Sequence, residues 1–393
     1  MTHWLEEILQ RVCASRVAVF GDFCLDAYWE LDASAEELSV ETGLPVRRVR
    51  RQRYSLGGAG NVAANLVALG AGAVRAVGLV GVDPFGGWMR QMLAELGVEV
   101  TGLLTGPADW QTPVYGKPLV GGVEQNRLDF GGCNAMDAGG TPSPRGAGVS
   151  PARAGSVPPA RNGEDGLASS SDQLHDTHSA GETPAPRLST MDALAAALDE
   201  AAGCCDAVIL NQQILAGVSP PAMIGRINRV VERHEARRCR GEGRCVFLAD
   251  SRDFGQWYRG VVLKTNAHEA LRMLGRPRAV GERVGPSEAA AAAGELHART
   301  GRPVFVTRGE FGLAVADGGA VREVPAVAVP GPIDPVGAGD TAVAAIAAVL
   351  ASGGDVLTAA KLANLAASVT VRKLRTTGTA SPAELLAEFG GLL

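Results

Sequence analysis

The sequence predicts an α/β fold built on a mainly parallel sheet. Three observations carry that expectation. Short β-branched apolar runs alternate with segments of helical periodicity, the runs end at polar or glycine-containing turns, and a late glycine-rich turn opens an alanine-rich helix.

Residues 17–20 form an apolar run that stops at Gly21 and Asp22, a buried strand whose carboxyl end meets a polar loop. Residues 29–31 and 45–54 read as extended. The second of these carries Arg47, Arg48, Arg50, Arg51 and Arg53, so it cannot be buried on both faces. A solvated edge or a lid strand fits it, with a phosphate-binding face as the sharper alternative. Gly57, Gly58 and Asn61 open a helical pattern with Val62, Leu66 and Leu69 on one face and Gly70 as its stop. A strand follows over 74–80, then a helix over 85–96 closed by Gly97, and residues 112–130 read as extended.

The texture then changes. Residues 131–186 are rich in Gly, Pro, Ser and Ala and poor in bulky apolar side chains, too few to offset the entropy of ordering. They are expected to form a disordered insertion. Order resumes near Thr190, read as the N-cap of a helix over 191–202. Strands are expected at 207–210, 245–248, 261–263 and 304–306, leading to Asn211, Asp250, Asn266 and Thr307, with a helix over 223–235. Residues 313–316 and 321–329 read as antiparallel edge strands, and helices over 341–350 and 356–373 close the fold.

Composition narrows the function. A net charge of −5 argues against nucleic acid as the main partner. No apolar run approaches the length of a membrane helix, and the first ten residues lack a signal-peptide pattern, so a cytoplasmic protein is expected. The seven cysteines have neither disulfide nor zinc spacing, and reduced thiols are the expectation. His175 and His178 fall in the low-complexity stretch, where chance proximity explains them better than metal binding.

One segment carries chemistry most clearly: Asp334, Pro335, Val336, Gly337, Ala338, Gly339, Asp340, Thr341. Glycines let the backbone approach a ligand, and the following helix aims free N–H groups and its positive dipole end at it. That makes a site for a phosphate, with Asp340 placed to take the proton of an attacking hydroxyl. A helix-capping turn would explain a Gly-Ala-Gly-Asp tetrapeptide equally well; its position late in an α/β chain favours the site. Gly57 and Gly58 with Asn61 and Asn65 fit either a tight turn or a binding turn. Asp22 and Asp26, at the end of the first strand, could hold sugar hydroxyls, with one of them only capping a loop.

Taken as a set in this order, these segments resemble the ribokinase-like PfkB family of carbohydrate kinases over nearly the whole chain outside 131–186. The resemblance implies a three-layer α/β/α sandwich in a single domain over 1–393, with a small β lid from about 27–55 and 112–130. It implies Asp340 as catalytic base and the backbone of Gly337, Ala338 and Gly339 as an anion hole. Asp26, Gly57, Gly58 and Asn61 would hold the sugar. Asn266 and Glu269 would organise magnesium and phosphates, Glu269 through water. Thr307 and Gly309 would flank the nucleotide, Asn364 would border the adenine, and Asp334 would help bind a monovalent cation such as potassium. The implied reaction is transfer of the ATP γ-phosphoryl group to a sugar or sugar-phosphate hydroxyl, and lid pairing would make a homodimer.

Within the family the chain is most similar to the kinase domain of heptose-phosphate kinase/ADP-heptose synthase. The stretches 21–29, 56–65 and 126–130, Lys373 with Leu374, and Lys117 as a substrate-side lysine carry that similarity. Three features depart from it. Asn211, Gln212 and Gln213 replace a Ser-Asp-Tyr run, leaving Gln213 as the substrate-side residue; Ala216 replaces a lysine; and Arg375 replaces a glycine. No nucleotidyltransferase domain is expected after Leu393. A nucleoside kinase and a regulator that binds sugar or nucleotide without turnover are the competing expectations.

Overall fold

Along strand β1 (Arg16–Gly21), Val17 and Val19 enter one buried cluster while Ala18 and Phe20 enter another. A strand buried on both faces belongs in the middle of a parallel sheet with helices on each side. The computed structural model describes residues 3–32, 34, 37–136, 189–279, 281–374 and 376–389. The expected insertion therefore lies outside the described residues from 137 onward, as do His175, His178 and Arg375.

Helix α1 (His3–Val12) precedes β1. Through Asp22 the chain passes straight into β2 (Phe23–Leu31), returns along β3 (Val49–Gly58) and enters α2 (Ala59–Ala68). Next come β4 (Ala73–Val80), α3 (Pro84–Glu95), β5 (Glu99–Thr105), β6 (Val114–Val120), β7 (Val123–Glu124) and β8 (Leu128–Phe130). After Ser189 follow α4 (Thr190–Cys204), β9 (Ala207–Gln212), α5 (Pro221–Cys239), β10 (Val246–Ser251), β11 (Val262–Asn266), α6 (Ala267–Met273) and α7 (Pro286–Thr300). The last elements are β12 (Val304–Thr307), β13 (Leu313–Asp317), β14 (Ala320–Val324), α8 (Ala338–Ala351), α9 (Val356–Thr370) and α10 (Pro382–Phe389).

The core sheet runs β14-β13-β12-β11-β10-β9-β1-β4-β5. It is parallel from β5 to β12 and antiparallel through β13 and β14. Helices α1, α2, α8, α9 and α10 pack on the Val17 and Val19 side, and α4, α5, α6 and α7 on the Ala18 and Phe20 side. Strand order reverses around β1, which lies between β4 and β9. Ligands of open α/β sheets sit outside the carboxyl ends of strands at such a point.

Over those ends stands a second sheet, β3-β2-β6-β7, with β8 also paired to β6. Strand β2 is antiparallel to β3 and parallel to β6. Arg50 and Arg51 on β3 are exposed, as a sheet with one solvated face requires.

Several boundaries differ from expectation for local reasons. The second sheet claims Phe23, so β2 begins six residues before the expected extended run. Ser189 rather than Thr190 caps α4, its hydroxyl accepting the Asp192 N–H at 3.2 Å. Strand β14 stops at Val324, where its pairing with β13 ends at Leu313. Helix α8 starts at Ala338, so Asp340 lies inside its first turn.

Candidate active site

Strands β1, β9, β10, β11 and β12 end side by side at polar residues: Asp22 directly after β1, and Gln212, Ser251, Asn266 and Thr307 as the last residues of the others. A cleft of about 370 Å³ opens above them, beneath the second sheet. One half is lined by Cys24, Asp26, Gly57, Gly58, Tyr115, Lys117, Arg127 and Gln213; the other by Asp250, Arg252, Lys264, Asn266, Glu269, Gly337, Gly339 and Asp340.

Asp340 stands where the halves meet. Its Oδ2 accepts the Asn61 Nδ2 hydrogen at 2.7 Å. Asn61 is fixed in turn, because Asn65 Nδ2 donates to its carbonyl at 2.9 Å. Thr341 Oγ1 donates to Asn65 Oδ1 at 2.7 Å and lies 3.1 Å from Thr370 Oγ1. A buried polar chain thus runs from α9 through α8 and α2 to the carboxylate. Desolvation in the cleft pushes the Asp340 carboxyl up to about 6, with Asp250 adding to the rise and Asn61, Lys264 and Arg252 opposing it. The group is ionised at neutral pH yet basic enough to take a proton.

Gly337 is the N-cap of α8 at φ 83, a conformation open to glycine. A Cβ there would stand 3.1 Å from Asn61 Nδ2, and one on Gly339 would stand 3.3 Å from Lys264 Nζ. The turn therefore lies directly against both the asparagine and the lysine. The Ala338 N–H donates to the Pro335 carbonyl at 3.2 Å, while Gly337 and Gly339 line the cleft.

Lys264 pairs with Asp250 at 3.1 Å, both side chains only 7% exposed. Burial opposes the charge on Lys264, but Asp250, Glu269 and Asp340 more than offset it, and its pKa is raised. Asn266 and Glu269 meet in a capping box: Asn266 Oδ1 accepts the Glu269 N–H at 2.9 Å and Glu269 Oε2 accepts the Asn266 N–H at 3.0 Å. Both line the cleft. Thr307 pairs with Asn266 in register one strand further out, and Gly309 follows at φ 57; neither reaches the cleft wall.

On the second sheet, Lys117 Nζ pairs with Asp26 Oδ1 at 2.6 Å. Desolvation opposes the Lys117 charge, but Asp26 and Tyr28 outweigh it and its pKa is raised. Gly58, at φ 51, lets β3 pass close to Asp22, whose carbonyl would stand 2.6 Å from a Cβ. Asp22 itself is a loop holder. Its carboxylate accepts N–H bonds from Gln213 (2.8 Å), Ile214 (2.9 Å) and Val218 (2.7 Å), although burial pushes it up to about 6. Of the two acids weighed from sequence, Asp26 faces the cleft and Asp22 positions Gln213.

Two further expected nucleotide or cation residues, like Thr307 and Gly309, sit outside the cleft wall. Asn364 donates to the Val324 and Pro325 carbonyls at 3.0 Å each, tying α9 to the end of β14. Asp334 Oδ1 accepts the Val336 N–H at 3.1 Å and so shapes the loop entering α8. Residues that sequence reasoning did not single out as site residues are Cys24, Tyr115, Arg127, Asp250, Arg252 and Lys264. The polar ends of β10 and β11 were the available signal for the last three.

The sequence pattern of the pfkB family carbohydrate kinase matches residues 14–109 and 258–384. The chain is 29% identical over 366 residues to the "Bifunctional protein HldE" of Caulobacter vibrioides, covering 92% of this chain and 60% of that protein. It is 42% identical over 123 residues to the "D-beta-D-heptose 7-phosphate kinase" of Bordetella bronchiseptica, covering 31% of this chain and 37% of that one. The chain therefore spans about three fifths of the length of the first of these relatives. In fold it is similar to Arabidopsis thaliana ribokinase complexed with ribose and ATP, with a TM-score of 0.63 at 18% identity over 95% of this chain and 98% of that one. Among the described residues no helix is long and apolar enough to cross a membrane.

Proposed function

Because the chain belongs to the pfkB family of carbohydrate kinases, we propose that it transfers the γ-phosphoryl group of ATP to a hydroxyl of a sugar or sugar phosphate, with Asp340 as the base. One observation carries this reading: a carboxylate with its pKa at about 6 stands between a glycine turn at a helix N-terminus and a polar acceptor half-cleft.

In this reading the acceptor lies against Asp26, Lys117, Gly57, Gly58 and Gln213, with Asn61 orienting Asp340. The acceptor oxygen attacks the γ-phosphorus in line while its proton passes to the Asp340 carboxylate. The bond from the γ-phosphorus to the bridging oxygen breaks, and ADP leaves. The backbone of Gly337 and Gly339 and the Lys264 ammonium face the transferring group and hold its charge. The nucleotide extends over Asn266 and Glu269 towards Thr307 and Gly309.

Among the described residues no cluster of three His, Cys, Asp or Glu side chains could cage a metal. That donor set fits magnesium held mainly by phosphate oxygens and water, with Glu269 and Asn266 as the protein groups behind it. Bound magnesium would neutralise charge on the nucleotide phosphates. Asp334, an oxygen donor beside the anion turn, is the residue for a monovalent cation such as potassium.

The test is ADP production with magnesium and potassium against a panel of sugars, sugar phosphates and nucleosides. Asp340→Asn should lose at least about a hundredfold in kcat while ATP affinity stays within about twofold. Near wild-type turnover in that variant would remove Asp340 as base.

A further inference from the structure

Parallel neighbours in a sheet need a crossover to join them, most often an α-helix. The crossover from β10 to β11 has none: between Ser251 and Val262 it holds only the 3-10 turn Gly255–Trp257. Helix α5, packed against α4, shares with that crossover an open groove of about 970 Å³. No residue lining the groove also lines the cleft. Its walls are tied together. Asn228 Nδ2 donates to the Trp257 carbonyl at 2.9 Å while Asn228 Oδ1 accepts the Arg259 N–H at 3.0 Å, so α5 grips the crossover on both sides of Tyr258. Arg302 donates to the Gly260 carbonyl through Nε at 2.9 Å and pairs with Glu235.

Against these fixed walls, three side chains are left unused. Trp257 is 44% exposed, although Tyr258 beside it is buried. Arg229 and Arg259 are exposed, and among the described residues neither guanidinium has a hydrogen-bond or ion-pair partner. The lining carries these two arginines and Arg302 against Glu232 and Glu235, and Glu235 is already taken by Arg302 and Arg238. The groove is therefore positive where it is open. An indole presents a broad apolar face to a planar ring, and a guanidinium meets the paired oxygens of a phosphate or carboxylate with fixed donors.

We infer that the groove beside α5 is a second ligand site, for an aromatic anion: a planar ring lies on Trp257, and its phosphate or carboxylate is held by Arg229 and Arg259. The inference goes beyond the kinase reading and does not depend on it. The crossover that carries Arg252 into the cleft carries Gln256 and Trp257 into the groove a few residues later, so an occupant of the groove touches the same short segment that ends at the cleft wall.

The experiment is fluorine NMR of the chain labelled with fluorotryptophan, in which the Trp257 resonance is assigned by its loss in Trp257→Phe. The probes are phenyl phosphate, adenosine monophosphate and benzoate, each beside its halves: phenol, adenosine, benzamide and inorganic phosphate. At least one aromatic anion should shift the Trp257 resonance saturably, with an affinity at least about tenfold tighter than either of its halves. The double variant Arg229→Ala with Arg259→Ala should weaken that binding by about tenfold or more; thermal unfolding verifies its fold, and both side chains are exposed. No saturable shift with any aromatic anion, equal affinity for inorganic phosphate alone, or undiminished affinity in the double variant overturns the inference. A response to the phosphates and not to benzoate, or the reverse, supports the site and names its anion. Trp257 reports on the groove and ADP production on the cleft, so failure of either reading leaves the other standing.

Discussion

Replacing Asn61 by alanine removes the donor that holds Asp340 Oδ2 at 2.7 Å. Hydrogen bonds to a charged group contribute about 1.5–3 kcal/mol. At about 1.4 kcal/mol per pKa unit, losing one raises the carboxyl by roughly 1–2 units. Asp340 starts at about 6, so the acid limb of kcat/KM should move from about 6 to between about 7 and 8. The sign follows from the base being active when ionised: rates fall as pH drops through the folded-state pKa. At pH 7 the ionised fraction falls from about nine tenths to between about a half and a tenth. The assay is the kcat/KM profile from pH 5 to 9 for wild type and Asn61→Ala. The variant should be several-fold slower at pH 7 and recover most of its rate at pH 9. A wild-type limb near 4, or a variant limb unmoved from 6, would refute the reasoning. A variant equally slow at every pH would show that Asn61 positions the base without tuning it.

Two further outcomes are expected. Gly337→Ala forces a side chain into φ 83 with its Cβ 3.1 Å from Asn61 Nδ2; stability should fall by about 1–2 kcal/mol in denaturant titrations while kcat falls roughly ten- to a hundredfold. Lys264→Met strands Asp250, only 5% exposed, and should cost about 3–5 kcal/mol in the same titrations; Lys264→Met with Asp250→Leu should recover much of that stability but none of the activity.

The glycine turn into α8 was legible because its pattern is local: Gly337, Gly339 and Asp340 lie within four residues of each other and announce a helix start. The same holds for Gly57, Gly58 and Asn61. Lys264 and Asp250 were not legible as partners, because they meet only through the parallel register of β10 with β11, where Asp250 stands opposite Lys264. No short-range pattern encodes that register. Arg252 was hidden likewise by the way β10 ends beside β9. Helix α7 escaped because its buried residues Ala289, Ala292 and Ala293 are nearly all alanine, leaving little apolar periodicity. Asn364, which the resemblance places beside the adenine, has its amide engaged by two backbone carbonyls, contacts that only the tertiary packing of α9 against β14 creates.

The passage through Asp22 has a mechanical consequence. Strands β2 and β3 both leave the core there: Phe23 pairs with Gly58, and the Asp22 carbonyl accepts the Ala59 N–H at 3.0 Å. The hairpin is an arm rooted at that point and braced along its length by β6, which pairs with residues 25–30, and by Tyr54 against Phe85 and Trp88 of α3. At about 3.3 Å per residue, Asp26 lies roughly 13 Å out along the arm and Leu31 roughly 30 Å. A tilt of about 10° would move the far end by ~5 Å and Asp26 by only ~2 Å, given those arm lengths. On the proposed reading, such a tilt would open the rim to substrate while Asp26 stays nearly in place.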